Sequence, residues 1–411
     1  YDVTDPSNPV RIGTGTSAGK LTAVVNETMA SRKLFASSTF NTPSIKPVTF
    51  RQITPSEHDY IIISNRLLTQ PALGYSNPVK AYAQYRASKA GGEYDTLVAE
   101  IGFLYDQFNY GEPSPLAIFH FMKFLTNSST PKYLLIIGKG LDVWWNYHRN
   151  PTSSSFITSK DMVPSSGMPA SDSYFTAGLV GTRYEPAVAT GRIPANTPAQ
   201  VAAYLNKIKE ADAAPHNSLW RKNILHLSGG INSGEPELFK LFMQGFEARA
   251  EGAYFGGNVQ AIAKQSTNIQ LINIAEQLNK GLGLITFFGH SSPSTIDFDI
   301  GNVTDAVLGY NNPGKYPMLL MNGCNAGAFF STDILFGEDW VTAANKGAVG
   351  FIAHSSYGLV HTLRAYSDTL YRVAFQKPAF LTKGIGDIQK EVAREYMLNS
   401  VSPETSMPRD T

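Results

Sequence analysis

The sequence predicts an α/β protein of two tandem units, each a mainly parallel sheet flanked by helices, preceded by a short β segment. Three observations carry this. Short apolar runs such as Tyr60-Ile-Ile-Ile-Ser64 and Leu284-Ile-Thr-Phe-Phe288 recur along the chain. Being apolar at nearly every residue, they read as strands buried on both faces. Segments of helical length separate them, which is the alternation of βαβ units. The series is broken once, at residues 139–180, by an irregular stretch rich in Ser, Pro and aromatic residues. A stretch of that length marks a join or a functional loop.

The elements follow in order. Tyr1-Asp-Val-Thr-Asp-Pro-Ser-Asn-Pro-Val10 is turn-rich, and Thr22–Asn26 and Pro47–Gln52 have strand composition, so residues 1–55 read as the closing strands of an N-terminal β module. A first α/β subdomain is expected over 56–150, with strands at Tyr60–Ser64, Leu97–Ile101 and Tyr133–Gly138. Its helices are expected at 77–86, where Asn77 is an N-cap and Pro78 the first helical residue, and at Pro115–Leu125. A second, catalytic subdomain is expected over 151–411, with strands Ala187–Arg192, Asn223–Leu227, Val259–Ala263, Leu284–Phe288, Met318–Met321 and Ala348–Ala353. Its helices are expected near 197–211, 236–250, 268–280, 333–345 and 383–397.

Composition narrows the function. Of 411 residues, 43% are hydrophobic and 16% charged, which supports large cores and argues against disorder. The net charge is +1 and no basic tract stands out, so neither nucleic acid nor an anionic membrane is an expected partner. No run of 18 apolar residues is present, so no membrane-spanning helix is expected. The single cysteine excludes an internal disulfide framework and a CxxC zinc site. Low charge with 20 Tyr and abundant Ser, Thr and Asn suits a secreted or cell-surface protein. The chain begins at Tyr1 without a signal peptide and reads as a mature or excised piece.

Two strand ends carry the candidate chemistry. Leu284-Ile-Thr-Phe-Phe-Gly-His290 places a histidine two residues past one strand, and Met318-Leu-Leu-Met-Asn-Gly-Cys324 places the only cysteine just past another. In a parallel sheet such ends share the carboxyl edge, where ligands bind. If the strands are neighbours, thiol and imidazole face one cleft, the geometry of a nucleophile and its base. Alone, such a Cys is usually a small buried hydrophobe and such a His usually structural; together, and flanked by Gly289 and Gly323, they point to catalysis. Phe351-Ile-Ala-His354-Ser-Ser repeats the pattern Gly289-His290-Ser-Ser, so His354 competes with His290 for the base and otherwise lines the pocket. Asp297-Phe-Asp299 resembles a fragment of a calcium loop without the remaining ligand spacing. Ser228-Gly-Gly230 follows a strand but is no phosphate loop, because no GK[ST] follows. His58, His120, His148, His216 and His226 have no partner pattern and read as structural.

Phe287-Phe-Gly-His290, followed about 34 residues later by Asn322-Gly-Cys324-Asn-Ala-Gly327, resembles the gingipain family of cysteine peptidases, as does Gly191-Arg192-Ile-Pro. The segment Tyr1–Val10 is similar to the sortase branch of that family, which serves type IX secretion. The resemblance spans roughly residues 55–400. It implies a caspase-like fold, extracytoplasmic peptide-bond cleavage, His290 as general base and acid, and Cys324 as nucleophile. Gly289, Ser291, Gly323, Asn325 and His354 then fall at the oxyanion site or substrate cleft. The sortase branch further implies removal of C-terminal sorting signals from exported polypeptides, an amine on a surface polysaccharide as acceptor, and outer-membrane secretion proteins as partners. No cofactor is required, and a structural calcium ion is compatible with the resemblance without assigned ligands. Two positions depart from the family pattern. Ser291 stands where members often carry Gly, and Ala187 stands where gingipains carry an acidic residue that orients the histidine. A non-enzymatic binding paralogue is the alternative these departures keep open. No deep acidic residue is evident, so a preference for Arg or Lys before the scissile bond is not assigned. Residues Leu141–Gly181, with Trp144, Trp145, Tyr147, Tyr174 and Phe175, are expected to pack over the carboxyl edge as cleft or plug.

Overall fold

The computed structural model describes residues 1–25, 31–39, 47–142, 160–181 and 184–398. The chain divides into two compact units, Tyr1–Arg51 and Gln52–Thr411. In the first, β1 (Thr14–Ser17) and β2 (Lys20–Ala23) form an antiparallel hairpin. Its turn residues Ala18 and Gly19 both have positive φ, the geometry that matches the twist of a two-residue hairpin. Asp2 bridges to Val10 and Leu34, and its carboxylate pairs with Arg32. Residues 47–52, expected as a strand, have no regular structure.

The second unit holds two large parallel sheets and a two-stranded one. The first has the order β4-β3-β5-β6, with β3 at Tyr60–Ser64, β4 at Thr96–Glu100, β5 at Tyr133–Ile137 and β6 at Ala189–Ile193. Side chains alternate between faces. Ile61, Ile63, Leu134 and Ile136 pack with residues from α2 (Ile101–Phe108) and α3 (Leu116–Thr126). Ile62 and Ile137 pack with residues from α1 (Pro78–Ala87) and α4 (Pro198–Ala213). Burial on both faces is why these strands read as unbroken apolar runs.

The strand expected at Ala187–Arg192 is corrected in one respect. It pairs in parallel with β5, Ile137 beside Ile193, and is the edge of the first sheet instead of the start of the second. The first sheet thus extends past residue 150, and the irregular stretch after β5 is a crossover within that sheet. Sequence patterning locates strands but does not assign them to sheets.

The second sheet has the order β13-β12-β10-β7-β8, all parallel. These are β7 (Asn223–Ser228), β8 (Asn258–Ala263), β10 (Leu284–Phe288), β12 (Met318–Asn322) and β13 (Gly350–Ala353). Ile285, Phe287, Leu319 and Met321 form one core with Phe336 and Trp340 of α7 (Phe336–Thr342). Ile224, Phe288 and Leu320 form the other with α5 (Glu235–Ala250), α8 (Val360–Gln376) and α9 (Ile385–Leu398). The expected helix at 268–280 is a two-residue strand, β9 (Gln270–Leu271), paired with β11 (Phe298–Asp299), then α6 (Ala275–Lys280). Helix α8 escapes the sequence patterning: its buried stripe of Leu363, Tyr366, Leu370 and Val373 is interleaved with Arg, Ser, Asp and Thr and relies partly on tyrosine.

Two buried lysines join the layers. Lys139, just past β5, is fully buried and pairs with Glu338 of α7 at 2.8 Å. Lys207 of α4 donates to the carbonyls of Val341 at 2.6 Å and Ala348 at 2.9 Å. Helix α7 ends at Thr342, short of the 345 expected, where Ala343 turns to ψ 137, and Lys207 takes up the Val341 carbonyl left free at that end.

Candidate active site

The parallel register sets the site. Phe288 of β10 lies beside Asn322 of β12. His290 and Cys324 each follow two residues later, so they leave adjacent strands at the same level, about 5 Å apart in the sheet direction. The expectation that these strands are neighbours therefore matches the topology. Both residues are partly buried.

Glycines let the two loops meet. A Cβ on Gly323 would stand 2.1 Å from the Ser291 Oγ, and one on Gly289 would stand 2.4 Å from the Asp297 carboxylate. Ser291 uses that approach: its hydroxyl donates to the Cys324 carbonyl at 2.8 Å, tying the histidine loop to the cysteine loop. Asn325 adopts φ +57, and its N–H donates to the Ser356 carbonyl at 2.7 Å. Gly327 N–H donates to the His354 carbonyl at 2.7 Å. The main chain of His354 thus braces the cysteine loop from β13. The Cys324 thiol sits 3.6 Å from the Gly358 carbonyl, a weak donor contact that holds it at the exit loop of β13.

The structure adds a residue that sequence reasoning missed. Glu235, the first residue of α5, approaches the His290 Nε2 at 2.9 Å. Its carboxylate also accepts from the N–H groups of Ile231 at 3.0 Å and Asn232 at 2.9 Å, and from the Asn232 amide at 2.9 Å. Burial pushes this carboxyl up, but the hydrogen bonds from Asn232, Ile231 and His290 outweigh it and hold it at about 2. An ionised carboxylate only accepts, so Nε2 carries the proton and Nδ1 is left as the basic nitrogen. Glu235 thus places a carboxylate on the His290 ring, which Ala187, a buried apolar residue, does not supply. The available signal was an acidic residue opening a helix after the Ser228-Gly-Gly230 strand end; its relevance depends on β7 lying next to β10.

Backbone donors complete the arrangement. Gly289 N–H is occupied by the Asn322 carbonyl at 3.0 Å, and Asn325 N–H by Ser356, so neither is available to a substrate oxygen. The N–H groups of Ser291 and Cys324 have no hydrogen-bond acceptor among the described residues. Beyond the cysteine loop, Asn325, Ala328, Phe330, Ser355 and Ser356 line a cavity of about 290 Å³ together with Asp142 and residues 168–170. The later part of the aromatic stretch thus reaches the cysteine loop; Trp144, Trp145 and Tyr147 lie outside the described residues. Asp297, in sequence a fragment of a calcium loop, is buried against Lys264 at 3.2 Å, which does not suit a cation. No group of three His, Cys, Asp or Glu side chains able to hold a metal occurs among the described residues. No described helix is long and apolar enough to cross a membrane.

The sequence model of peptidase family C25 matches residues 53–410. No curated protein matches the chain. Among solved structures, the crystal structure of the Arg-specific cysteine proteinase gingipain R aligns with TM-score 0.62 at 15% identity, covering 88% of this chain and 78% of that one. The complex of the RgpB pro- and mature domains from Porphyromonas gingivalis aligns with TM-score 0.62 at 14% identity, covering 85% and 77%. A structure described only as a protease aligns with TM-score 0.57 at 16% identity, covering 85% and 75%. At these identities the likeness speaks to the fold, which is the caspase-like α/β fold of the gingipains.

Proposed function

The chain belongs to peptidase family C25, a family of cysteine peptidases, and on that premise we propose that it cleaves peptide bonds through Cys324 and His290, with Glu235 orienting the histidine. The observation that supports this most is the alignment of His290 and Cys324 two residues past in-register partners of adjacent strands, with Glu235 on the far ring nitrogen. His290 Nδ1 takes the thiol proton as the sulfur attacks the scissile carbonyl. The developing oxyanion is received by the N–H groups of Cys324 and Ser291, which serve at the place where members often carry Gly, because a backbone donor does not depend on the side chain. The imidazolium formed is stabilised by the Glu235 carboxylate and gives its proton to the leaving amine. Water, activated by the same Nδ1, then hydrolyses the thioester.

The test is a peptide carrying an acyloxymethyl ketone, with mass analysis of the adduct. Modification confined to Cys324, abolished by Cys324→Ala and strongly slowed by His290→Ala, supports the mechanism. Equal slowing by His354→Ala alone would move the base to His354. No adduct, together with no cleavage of a mixed peptide library, would favour the non-enzymatic binding role.

The narrower proposal is an extracytoplasmic sortase-like enzyme acting on C-terminal sorting signals, supported by the similarity of Tyr1–Val10 to that branch and by the thioester, which amines attack readily. Incubation of a cleaved peptide with rising concentrations of an amine acceptor discriminates: amide product supports transfer, and free acid alone at every concentration leaves a plain peptidase. Localisation outside the cytoplasm, a polysaccharide amine and secretion-complex partners belong to this narrower proposal.

A further inference from the structure

Asp297 and Lys264 form a buried ion pair directly behind the His290–Glu235 contact, with side chains 3% and 0% exposed. The Asp297 carboxylate reaches in two directions. Its Oδ1 accepts the His290 N–H at 3.2 Å, and its Oδ2 accepts the Gly230 N–H at 2.6 Å. The Asp297 N–H returns a bond to the His290 carbonyl at 2.8 Å, so both main-chain polar groups of the histidine are held by this one residue. Lys264, just past β8, donates to Asp297 Oδ2 at 3.2 Å and to the Gly230 carbonyl at 3.0 Å, so both polar groups of Gly230 are held as well. Gly230 lies in the turn whose next residues, Ile231 and Asn232, donate to Glu235.

The packing is specific to a short carboxylate. A Cβ on Gly229 would stand 2.2 Å from Asp297 Oδ1, and one on Gly289 would stand 2.4 Å from it. The glycines at the ends of β7 and β10 therefore make room for Asp297. Only a carboxylate offers acceptors at both ends; an amide would turn an N–H toward either His290 or Gly230.

We propose that the Asp297–Lys264 pair is a positioning device: it joins the histidine main chain to the loop that presents Glu235 and so fixes the His290–Glu235 contact. The two partners of that contact come from different strands, and one buried carboxylate sets their separation. The inference rests on the reading of His290 and Cys324 as the reacting pair. Misplacement by about 1 Å at such a site costs on the order of a hundredfold in rate.

The test compares Asp297→Asn with wild type on a peptide the wild type cleaves. We expect kcat to fall by about 10- to 100-fold, with KM within about threefold. In a Glu235→Ala background the same change should cost less than about threefold further, because the contact it supports is already absent; effects acting through one unit do not multiply. A second readout needs no turnover. In Cys324→Ala protein, the downfield imidazole N–H resonance of His290 should be present, and adding Asp297→Asn should abolish or broaden it. Persistence of that resonance in a folded variant, or full multiplication of the two effects on kcat, overturns the proposal. If Asp297→Asn does not fold, Lys264→Gln, which keeps a donor toward Oδ2 and removes the charge, should show the same pattern at smaller amplitude; unchanged kcat and an unchanged resonance there overturn it. Should the wild type cleave nothing, the peptidase reading fails, and the resonance still decides the positioning role.

Discussion

Replacing Glu235 by Gln keeps the side chain's shape and removes its charge, and the structure indicates what that does. Glu235 accepts four hydrogen bonds, from Ile231 N–H, Asn232 N–H, the Asn232 amide and His290 Nε2. A glutamine has one acceptor oxygen and one amide that only donates. One oxygen, Oε2, accepts from Ile231 N–H, Asn232 N–H and His290 Nε2, and Oε1 only from the Asn232 amide. A glutamine oxygen at the Oε2 place therefore keeps the contact with His290, and its amide meets the Asn232 side chain, which flips to accept. The tautomer is kept and the charge behind it is lost. A charge-assisted bond contributes about 1.5–3 kcal/mol against about 0.5–1.5 kcal/mol for a neutral one, so the support of the imidazolium weakens by roughly a decade or more. We expect kcat/KM to fall by about 10- to 10²-fold, less than the roughly 10⁴-fold typical of a buried triad aspartate whose loss gives the wrong tautomer, because the tautomer is kept and His290 is 35% and Glu235 21% exposed. The assay is kcat/KM on a cleaved peptide, with the rate of Cys324 alkylation by iodoacetamide as an activity-independent check. A Glu235→Gln enzyme within about threefold of wild type in both would contradict this account of the histidine.

Other outcomes follow from the same geometry. Glu235 is held at about 2, below its ordinary 4.5, so its stabilisation is present above pH 4.5 and is lost as pH falls toward 2; urea unfolding at pH 5 and pH 3 should show wild type losing about 1–2 kcal/mol more than Glu235→Gln. Gly323→Ala would place a methyl 2.1 Å from the Ser291 Oγ, which should destabilise the protein by about 1–3 kcal/mol and slow alkylation of Cys324, with partial recovery in Gly323→Ala/Ser291→Gly. Lys139→Met alone leaves Glu338 buried without its partner and should cost about 3–5 kcal/mol in chemical denaturation, whereas Lys139→Met/Glu338→Gln should recover most of it.

The strands and their chemistry-bearing ends are legible in the chain alone. Burial on both faces leaves nearly unbroken apolar runs, so β3, β5, β10 and β12 can be read directly. His290 and Cys324 stand out because each follows such a run through a glycine. Helix α8 does not, because its buried face is shared between leucine, tyrosine and valine among polar residues. Which strands are neighbours is a property of the tertiary structure. The order β13-β12-β10-β7-β8 is not chain order, and it brings Glu235 to His290 across 55 residues of sequence. The same holds for Asp297, which in sequence resembles a fragment of a calcium loop and in the fold meets Lys264 from the end of β8. The assignment of β6 to the first sheet has the same cause. Local patterning reports how each segment is buried, but the hydrogen-bond pairing between parallel strands is set by crossovers whose path leaves no periodic mark in the chain.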